Sequence, residues 1–253
     1  MLEIRKVTIP ELSDEQRNLY VYLPAAARRE PHRRFPVLYM FDGHNVFYDS
    51  HATYGRSWRL GDYLDRTDTP LIVAAIECSH LPNARISEYA PFSFRDSEFG
   101  QVTGRGRETM EWIVNVMKPL VDSSYPTLPD RANTFIAGSS MGGLMSLYAL
   151  CAYNAVFSRC AALSPSIIFG EKALDACLRN AALSDGAVVY MDYGEQELGF
   201  DDTAARWRSV SSLLLRKNVQ LTARIVPGGT HCEASWERQE PFFIPALLYG
   251  LTL

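Results

Sequence analysis

Residues Asn133 to Tyr153 read NTFIAGSSMGGLMSLYALCAY. A short apolar run leads into a cramped turn of small residues, and an apolar stretch of helical length follows. Within the turn, Gly138-Ser139-Ser140-Met141-Gly142 fits the spacing G-x-S-x-G, with Gly143 next in line. That spacing suits a tight strand-to-helix turn that holds its central serine in a strained backbone conformation. A β-carbon two residues to either side would collide with the neighbouring strand or helix, so glycine stands at both flanks. The pattern assigns nucleophilic chemistry to Ser140 and leaves Ser139 as a small packing residue.

Outward from this turn, short β-rich runs alternate with longer helical stretches, the pattern of an α/β sheet. The predicted strands are LEIRKVTI, NLYVYLP, FPVLYMF, LIVAAIEC, NTFIAGS, CAALSP, AVVYMDYG and QLTARIVP. The first two alternate and suit an antiparallel edge hairpin. The later ones are almost continuously apolar, as strands buried on both faces are. Helices are predicted over residues 58–66, 108–121, 141–153, 172–180, 203–217 and 233–249, the last broken by Pro241 and Pro245. No repeat, low-complexity tract or linker divides the chain, so one domain over residues 1–253 is expected. The longest stretch without a period, Ser79 to Thr103, reads as an ordered functional loop.

A net charge of −4, spread without long runs of either sign, argues against nucleic acid as a partner. The basic cluster Arg28 to Arg34 reads as a solvated loop. No apolar run is long enough to span a bilayer and the first residues lack the pattern of a secretory signal. A cytoplasmic protein with no membrane partner is therefore expected. The five cysteines, Cys78, Cys151, Cys160, Cys177 and Cys232, are odd in number and include no CxxC pair. They suggest neither a disulfide framework nor a zinc knuckle, and no metal or cofactor is expected.

A serine hydroxyl needs a base to take its proton and an acceptor to orient that base. For a nucleophile on a turn of this kind, the acid and then the histidine follow along the chain. His231 is the single histidine after Ser140, placed in VPGGTHCEASW beyond the last predicted strand. Three carboxylates follow or end the preceding strand: Asp192, Glu195 and Glu197. Asp192 sits within the strand, too early to reach the crevice; Glu197, beyond Gly194, is best placed. For the oxyanion, one donor is expected from the Met141 amide at the helix N-terminus. The other should come from DGHNVF after the strand FPVLYMF, where Gly43 allows close approach; the His44 amide is the choice, with Asn45 in reserve. His32, His51 and His80 have no such placement and read as surface residues.

Several segments together resemble the putative esterase (esterase D-like) family of α/β-hydrolases. They are FPVLYMFDGHNVF, ARISEYAPFSF, ALSPSIIF, YMDYGEQE, PGGTHCEASWERQ and the long segment from Trp112 to Leu150. The family includes feruloyl and acetyl esterase domains, S-formylglutathione hydrolases and siderophore esterases. The resemblance implies the α/β-hydrolase fold, a mostly parallel sheet with helices on both faces and little or no cap domain. Its nucleophile falls on Ser140, its histidine on His231 and its acid on Glu197. Cys232 stands where a polar residue is expected.

A serine carboxylesterase acting on a small-molecule ester, of acetyl, feruloyl or similar acid, follows as the expectation. An acyltransferase using the same acyl-enzyme and a non-catalytic ligand-binding relative are the alternatives. Arg85, Tyr89 and Trp236 are candidate pocket residues, with Arg85 and Glu88 expected to pair with one another. A homodimer is an open option.

Overall fold

The computed structural model describes residues 1–200 and 202–252. Among the described residues ten strands run in chain order: β1 (Leu2–Ile9), β2 (Ser13–Tyr22), β3 (Val37–Met40), β4 (Ile72–Ile76), β5 (Phe94–Asp96), β6 (Gly100–Val102), β7 (Thr134–Ser139), β8 (Arg159–Leu163), β9 (Ala187–Gly194) and β10 (Val219–Val226). Helices α1 (Ala26–Arg29), α2 (Leu60–Arg66), α3 (Ala84–Glu88), α4 (Gly106–Trp112) and α5 (Lys118–Ser124) precede the serine turn. After it come α6 (Met141–Ala152), α7 (Glu171–Asn180), α8 (Thr203–Leu215), α9 (Glu233–Glu237) and α10 (Glu240–Leu248).

Among the described residues, eight strands form one sheet in the order β1-β2-β4-β3-β7-β8-β9-β10. The β1/β2 and β2/β4 pairs are antiparallel, and every pair from β4 to β10 is parallel. The edge hairpin and the parallel body match the expectation from alternating and continuous apolar runs. Side chains of one strand divide between two faces, as the period of two requires. In β4, Ile72, Ala74 and Ile76 point to one core while Val73 and Ala75 point to the other. In β7, Ile136 faces the first core, and Phe135 and Ala137 the second. The first core packs under α4 to α8, with Met110, Val121, Leu144, Leu174 and Val210. The second is closed by α2, α9 and α10 through Leu60, Leu64, Trp236, Phe243 and Leu247. This is the α/β-hydrolase arrangement, a mostly parallel sheet with helices on both faces.

Two elements depart from the sequence reading. Residues 108–121 are not one regular helix: α4 and α5 are joined by a π-helical turn over Ile113–Met117. Pro119, near the start of α5, has no amide hydrogen to continue a regular ladder across this junction. Ser79 to Thr103 is not one long loop either, since it holds α3 and the small β5/β6 hairpin. Glu88 anchors it: its carboxylate accepts two bonds from the buried Arg17 guanidinium of β2, at 2.7 and 2.5 Å, and the Ser79 amide at 3.1 Å. The expected Arg85–Glu88 pair is therefore absent; Arg85 donates instead to both carboxylate oxygens of Asp42, each at 2.7 Å.

No helix of the described residues is long and apolar enough to cross a membrane.

Candidate active site

The parallel strands bring their carboxyl ends to one rim, where crevices form in open α/β sheets. Ser140 follows β7, Ser164 follows β8, Glu197 follows β9 and His231 follows β10. At Ser140 the backbone has φ 57° and ψ −122°, a sparsely populated conformation for a residue with a side chain. The flanks explain how it is held. An added β-carbon on Gly138 would lie 2.7 Å from the Gly142 carbonyl carbon, and one on Gly142 would lie 3.0 Å from Phe41 Cβ. The turn is pinned by the Ser140 amide donating to the Leu163 carbonyl at 2.9 Å and the Ser166 amide donating to the Ser140 carbonyl at 3.0 Å. Ser139 is buried, as a packing residue should be.

Ser140 Oγ lies 2.9 Å from His231 Nε2, and His231 Nδ1 lies 2.6 Å from Glu197 Oε2. An ionised carboxylate only accepts, so Nδ1 carries the imidazole proton and Nε2 is left to accept from the serine hydroxyl. The loops bearing these groups are joined backbone to backbone: the Gln196 amide donates to the Gly229 carbonyl at 3.1 Å. Glu195 is used in the same joint, its Oε2 accepting the Gly228 amide at 2.9 Å. Asp192 is buried in β9, where it accepts from Tyr190 Oη and the Ser164 amide. Of the three carboxylates, Glu197 is the one in contact with His231.

Glu197 is itself held at its other oxygen. Oε1 accepts from Ser164 Oγ at 2.7 Å and from the Gly194 amide at 2.8 Å. Burial raises its pKa, but the hydrogen bonds from His231, Ser164 and Gly194 outweigh that and leave it below the ordinary carboxylate value. Trp236 Nε1–H donates to Ser164 Oγ at 3.0 Å, and the indole edge meets the His231 ring with centroids 5.1 Å apart. A continuous chain thus runs from Trp236 through Ser164, Glu197 and His231 to Ser140. Burial pushes Asp192 up to about 6, in contrast to Glu197.

Ser164 and Ser166 escape a search confined to the expected triad types. Ser166 Oγ lies 3.1 Å from Ser140 Oγ. Their signal in the sequence is position alone: SPS follows β8, the strand beside the one that carries the serine turn.

On the oxyanion side, Met141 opens α6 and His44 lies in a short 3-10 turn, Gly43–Asn45, after β3. Gly43 is pressed against β4, where a β-carbon would lie 2.5 Å from the Ala75 carbonyl oxygen. The reserve donor, the Asn45 amide, is already bonded to the Asp42 carbonyl at 2.8 Å. Of the candidate pocket residues, Arg85 and Trp236 border a cleft of about 560 Å³ together with Ser140, His231, His44 and His80. Tyr89 does not: it is 1 % exposed, packs edge-on against Phe41, and its Oη accepts the Asp42 amide. A second cleft of about 460 Å³ opens on the other side of His231, with Ile167, Ile168, Tyr193 and Phe200 on its walls. Cys232 caps α9 and has its Sγ 3.2 Å from Thr230 Oγ1; burial raises its pKa, but hydrogen bonds around it bring it below the ordinary thiol value.

Fold and site together define a hydrolase of the α/β class, with a serine on the turn after a central strand. The chain belongs to the family described as "Putative esterase", whose model matches residues 11–251, and it is a carboxylic ester hydrolase. It is 24% identical over 197 residues to the "Uncharacterized protein YbbA" of Bacillus subtilis (strain 168), covering 76% of this chain and 73% of that one. Among solved structures, an IroE-like serine hydrolase from Shewanella oneidensis superposes with a TM-score of 0.74 at 18% identity. That match covers 98% of this chain and 78% of the other. A ferulic acid esterase superposes with a TM-score of 0.70 at 16% identity, covering 98% and 97%. At these identities the structural likeness concerns the fold.

Proposed function

We propose that residues 1–253 form one serine esterase domain in which Ser140, His231 and Glu197 act as nucleophile, base and orienting acid. The observation that carries this reading is the pair of contacts at His231, 2.9 Å to Ser140 Oγ and 2.6 Å to Glu197 Oε2. Ser140 Oγ attacks the ester carbonyl while its proton passes to His231 Nε2. The resulting imidazolium is stabilised by Glu197, and the amides of Met141 and His44 hold the oxyanion. His231 then returns the proton to the departing alcohol, leaving an acyl group on Ser140. Water, deprotonated by His231, releases the acid and restores the serine.

The two clefts beside His231 suggest how an ester divides. The acyl group, in the range from acetyl to feruloyl, takes the side walled by Ile167, Ile168, Tyr193 and Phe200. The alcohol takes the side lined by His44, His80 and Arg85. The polar character of that second side suits a hydroxylated alcohol.

Hydrolysis of p-nitrophenyl acetate by Ser140→Ala tests the reading. The expected loss in kcat is on the order of 10⁶-fold. Turnover near that of the unaltered chain would overturn it, as would labelling of Ser140→Ala by a fluorophosphonate probe. A panel of p-nitrophenyl esters of increasing acyl length, with methyl ferulate, ranks the acyl groups.

A further inference from the structure

Beside the serine lies a second group of chemistry-bearing side chains that takes no part in the proton transfers of the proposed ester reaction. His44 comes from the 3-10 turn after β3, and Glu77 and His80 from the segment just beyond β4. Since β3 and β4 are paired in parallel, their carboxyl ends place these three side chains together. One ligand atom from each lies within 4.8 Å of the other two. His44 and His80 also border the cleft that contains Ser140.

We propose that His44, Glu77 and His80 form a binding site for a borderline divalent cation, best matched by zinc, in the alcohol side of the cleft. Two imidazoles and one carboxylate are a donor set for Zn²⁺ and its neighbours in the first transition row, not for Ca²⁺ or Mg²⁺, which take oxygen. The spacing is close to what such an ion needs. Ligands about 2.0–2.2 Å from a tetrahedral ion stand roughly 3.3–3.6 Å from one another. His80 Nε2 and Glu77 Oε1 are already 3.1 Å apart. The remaining edges close by about 1.5 Å at most: the one to His80 lies within the reach of rotation of that side chain, which is 55% exposed, and the one between His44 and Glu77 calls for a shift of the Glu77 carboxylate.

An independent observation comes from His44. Its ring is only 3% exposed, and Nδ1 has no hydrogen-bond partner, while Nε2 lies 3.0 Å from Thr53 Oγ1. With Nε2–H donating to Thr53, Nδ1 offers a bare lone pair in a buried position, where an unpartnered polar atom is costly. Metal-bound imidazoles use one nitrogen for the ion and the other for such a donated bond. Glu77 is likewise oriented from behind, Oε2 accepting the Asn18 amide at 2.7 Å.

A competing trio, Asp42, His44 and Cys78, shares the histidine. Both Asp42 oxygens are held by the Arg85 guanidinium, which leaves a second cation at that carboxylate disfavoured. Three protein ligands leave a tetrahedral ion one open position for water or a substrate oxygen, and His44 and His80 both line the cleft of Ser140.

Calorimetric titration of ZnCl₂ into the full chain tests the proposal, with CoCl₂ titration followed by visible absorption as the second measurement. One saturable site is expected, with cobalt d–d bands and no thiolate-to-cobalt charge-transfer band. His80→Ala and Glu77→Gln should each weaken zinc at least about tenfold. Ser140→Ala should bind as the unaltered chain does, so that loss of the esterase reading would leave this one standing. His80→Ala, at an exposed position, should melt like the unaltered chain. Absence of saturable binding, or binding that survives both substitutions, would overturn the proposal. Binding that is lost in Cys78→Ser while persisting in His80→Ala would overturn it in favour of the other trio.

Discussion

Gly194 and Gly229 meet backbone on backbone: a β-carbon added to Gly229 would lie 2.8 Å from the Gly194 Cα. This contact joins the loop that carries Glu197 to the loop that carries His231. It explains why glycine stands at both places without any need for a positive φ, since neither residue adopts one.

Gly229→Ala is therefore expected to separate the two loops. Overpacking of this kind typically costs about 1–3 kcal/mol of stability. A misplacement near 1 Å between acting groups costs on the order of 10²-fold in rate. Kinetics on p-nitrophenyl acetate should show a loss that falls mainly on kcat, because the contact set apart is the one between the loops of Glu197 and His231, while the walls at Ile167, Ile168, Arg85 and His80 stay in place. Unchanged kcat in a folded Gly229→Ala would show that the loop contact does not set the His231–Glu197 geometry.

Glu197→Gln keeps the shape of the side chain but removes the charge that, in the proposed mechanism, stabilises the imidazolium. A loss on the order of 10⁴-fold in kcat is expected, by analogy with the aspartate of other serine hydrolases. Asp192→Asn should cost far less, as Asp192 bonds Tyr190 and the Ser164 amide and not His231. The reverse order would reassign the acid. Linkage adds a pH signature. The folded pKa of Glu197 lies below its ordinary value of 4.5, so its charged form contributes stability above that pH. The contribution is lost as pH falls through the lowered folded value. The melting-temperature difference between the unaltered chain and Glu197→Gln should accordingly shrink toward the acid end.

Ser164→Ala tests the chain behind the acid. It removes the hydroxyl that donates to Glu197 Oε1 and leaves the Trp236 indole N–H without its acceptor. A hydrogen bond to a charged group contributes about 1.5–3 kcal/mol, which corresponds to roughly ten- to a hundredfold in kcat if it acts through the orientation of Glu197. Because Ser164 positions and does not touch the reacting atoms, the acid limb of the pH–rate profile should move upward with little change in KM. A uniform loss of activity with an unmoved profile would mark Ser164 as structural only.

What could be read from the sequence follows the range of the interactions involved. The serine turn is a local backbone rule, and β9 runs over the same residues, 187–194, that its apolar run predicts. A strand end separates Glu197 from Asp192 in the sequence, and it is the Glu197 carboxylate that lies 2.6 Å from His231 Nδ1. The Arg85–Glu88 pair failed for the opposite reason. Spacing of three residues brings them near on α3, but stronger partners, Asp42 and Arg17, arrive from 43 and 71 residues away. Tyr89 goes to the core for the same reason, since its burial against Phe41 depends on how the segment packs beside the end of β3. The juxtaposition of His44 with Glu77 and His80 depends on β3 lying beside β4, which no local pattern encodes.

Glu240 offers a prediction remote from the chemistry. It opens α10, is 3% exposed, and its Oε1 has no hydrogen-bond partner. Burial pushes its carboxyl up to about 9, Glu237 and Asp62 push in the same direction, and Arg66 opposes them. The folded chain thus keeps a proton that the unfolded chain releases above the ordinary value of 4.5. Stability from this group is fully present below that value and declines as pH rises toward about 9. Glu240→Gln supplies the neutral form permanently, so it should match the unaltered chain in melting temperature near pH 4 and exceed it at pH 8. A gain of 1 kcal/mol corresponds to roughly 2–4 °C in a chain of this size, and at least that much is expected. A melting temperature that falls at pH 8 on substitution would mean that Glu240 is held as a charged carboxylate at the start of α10.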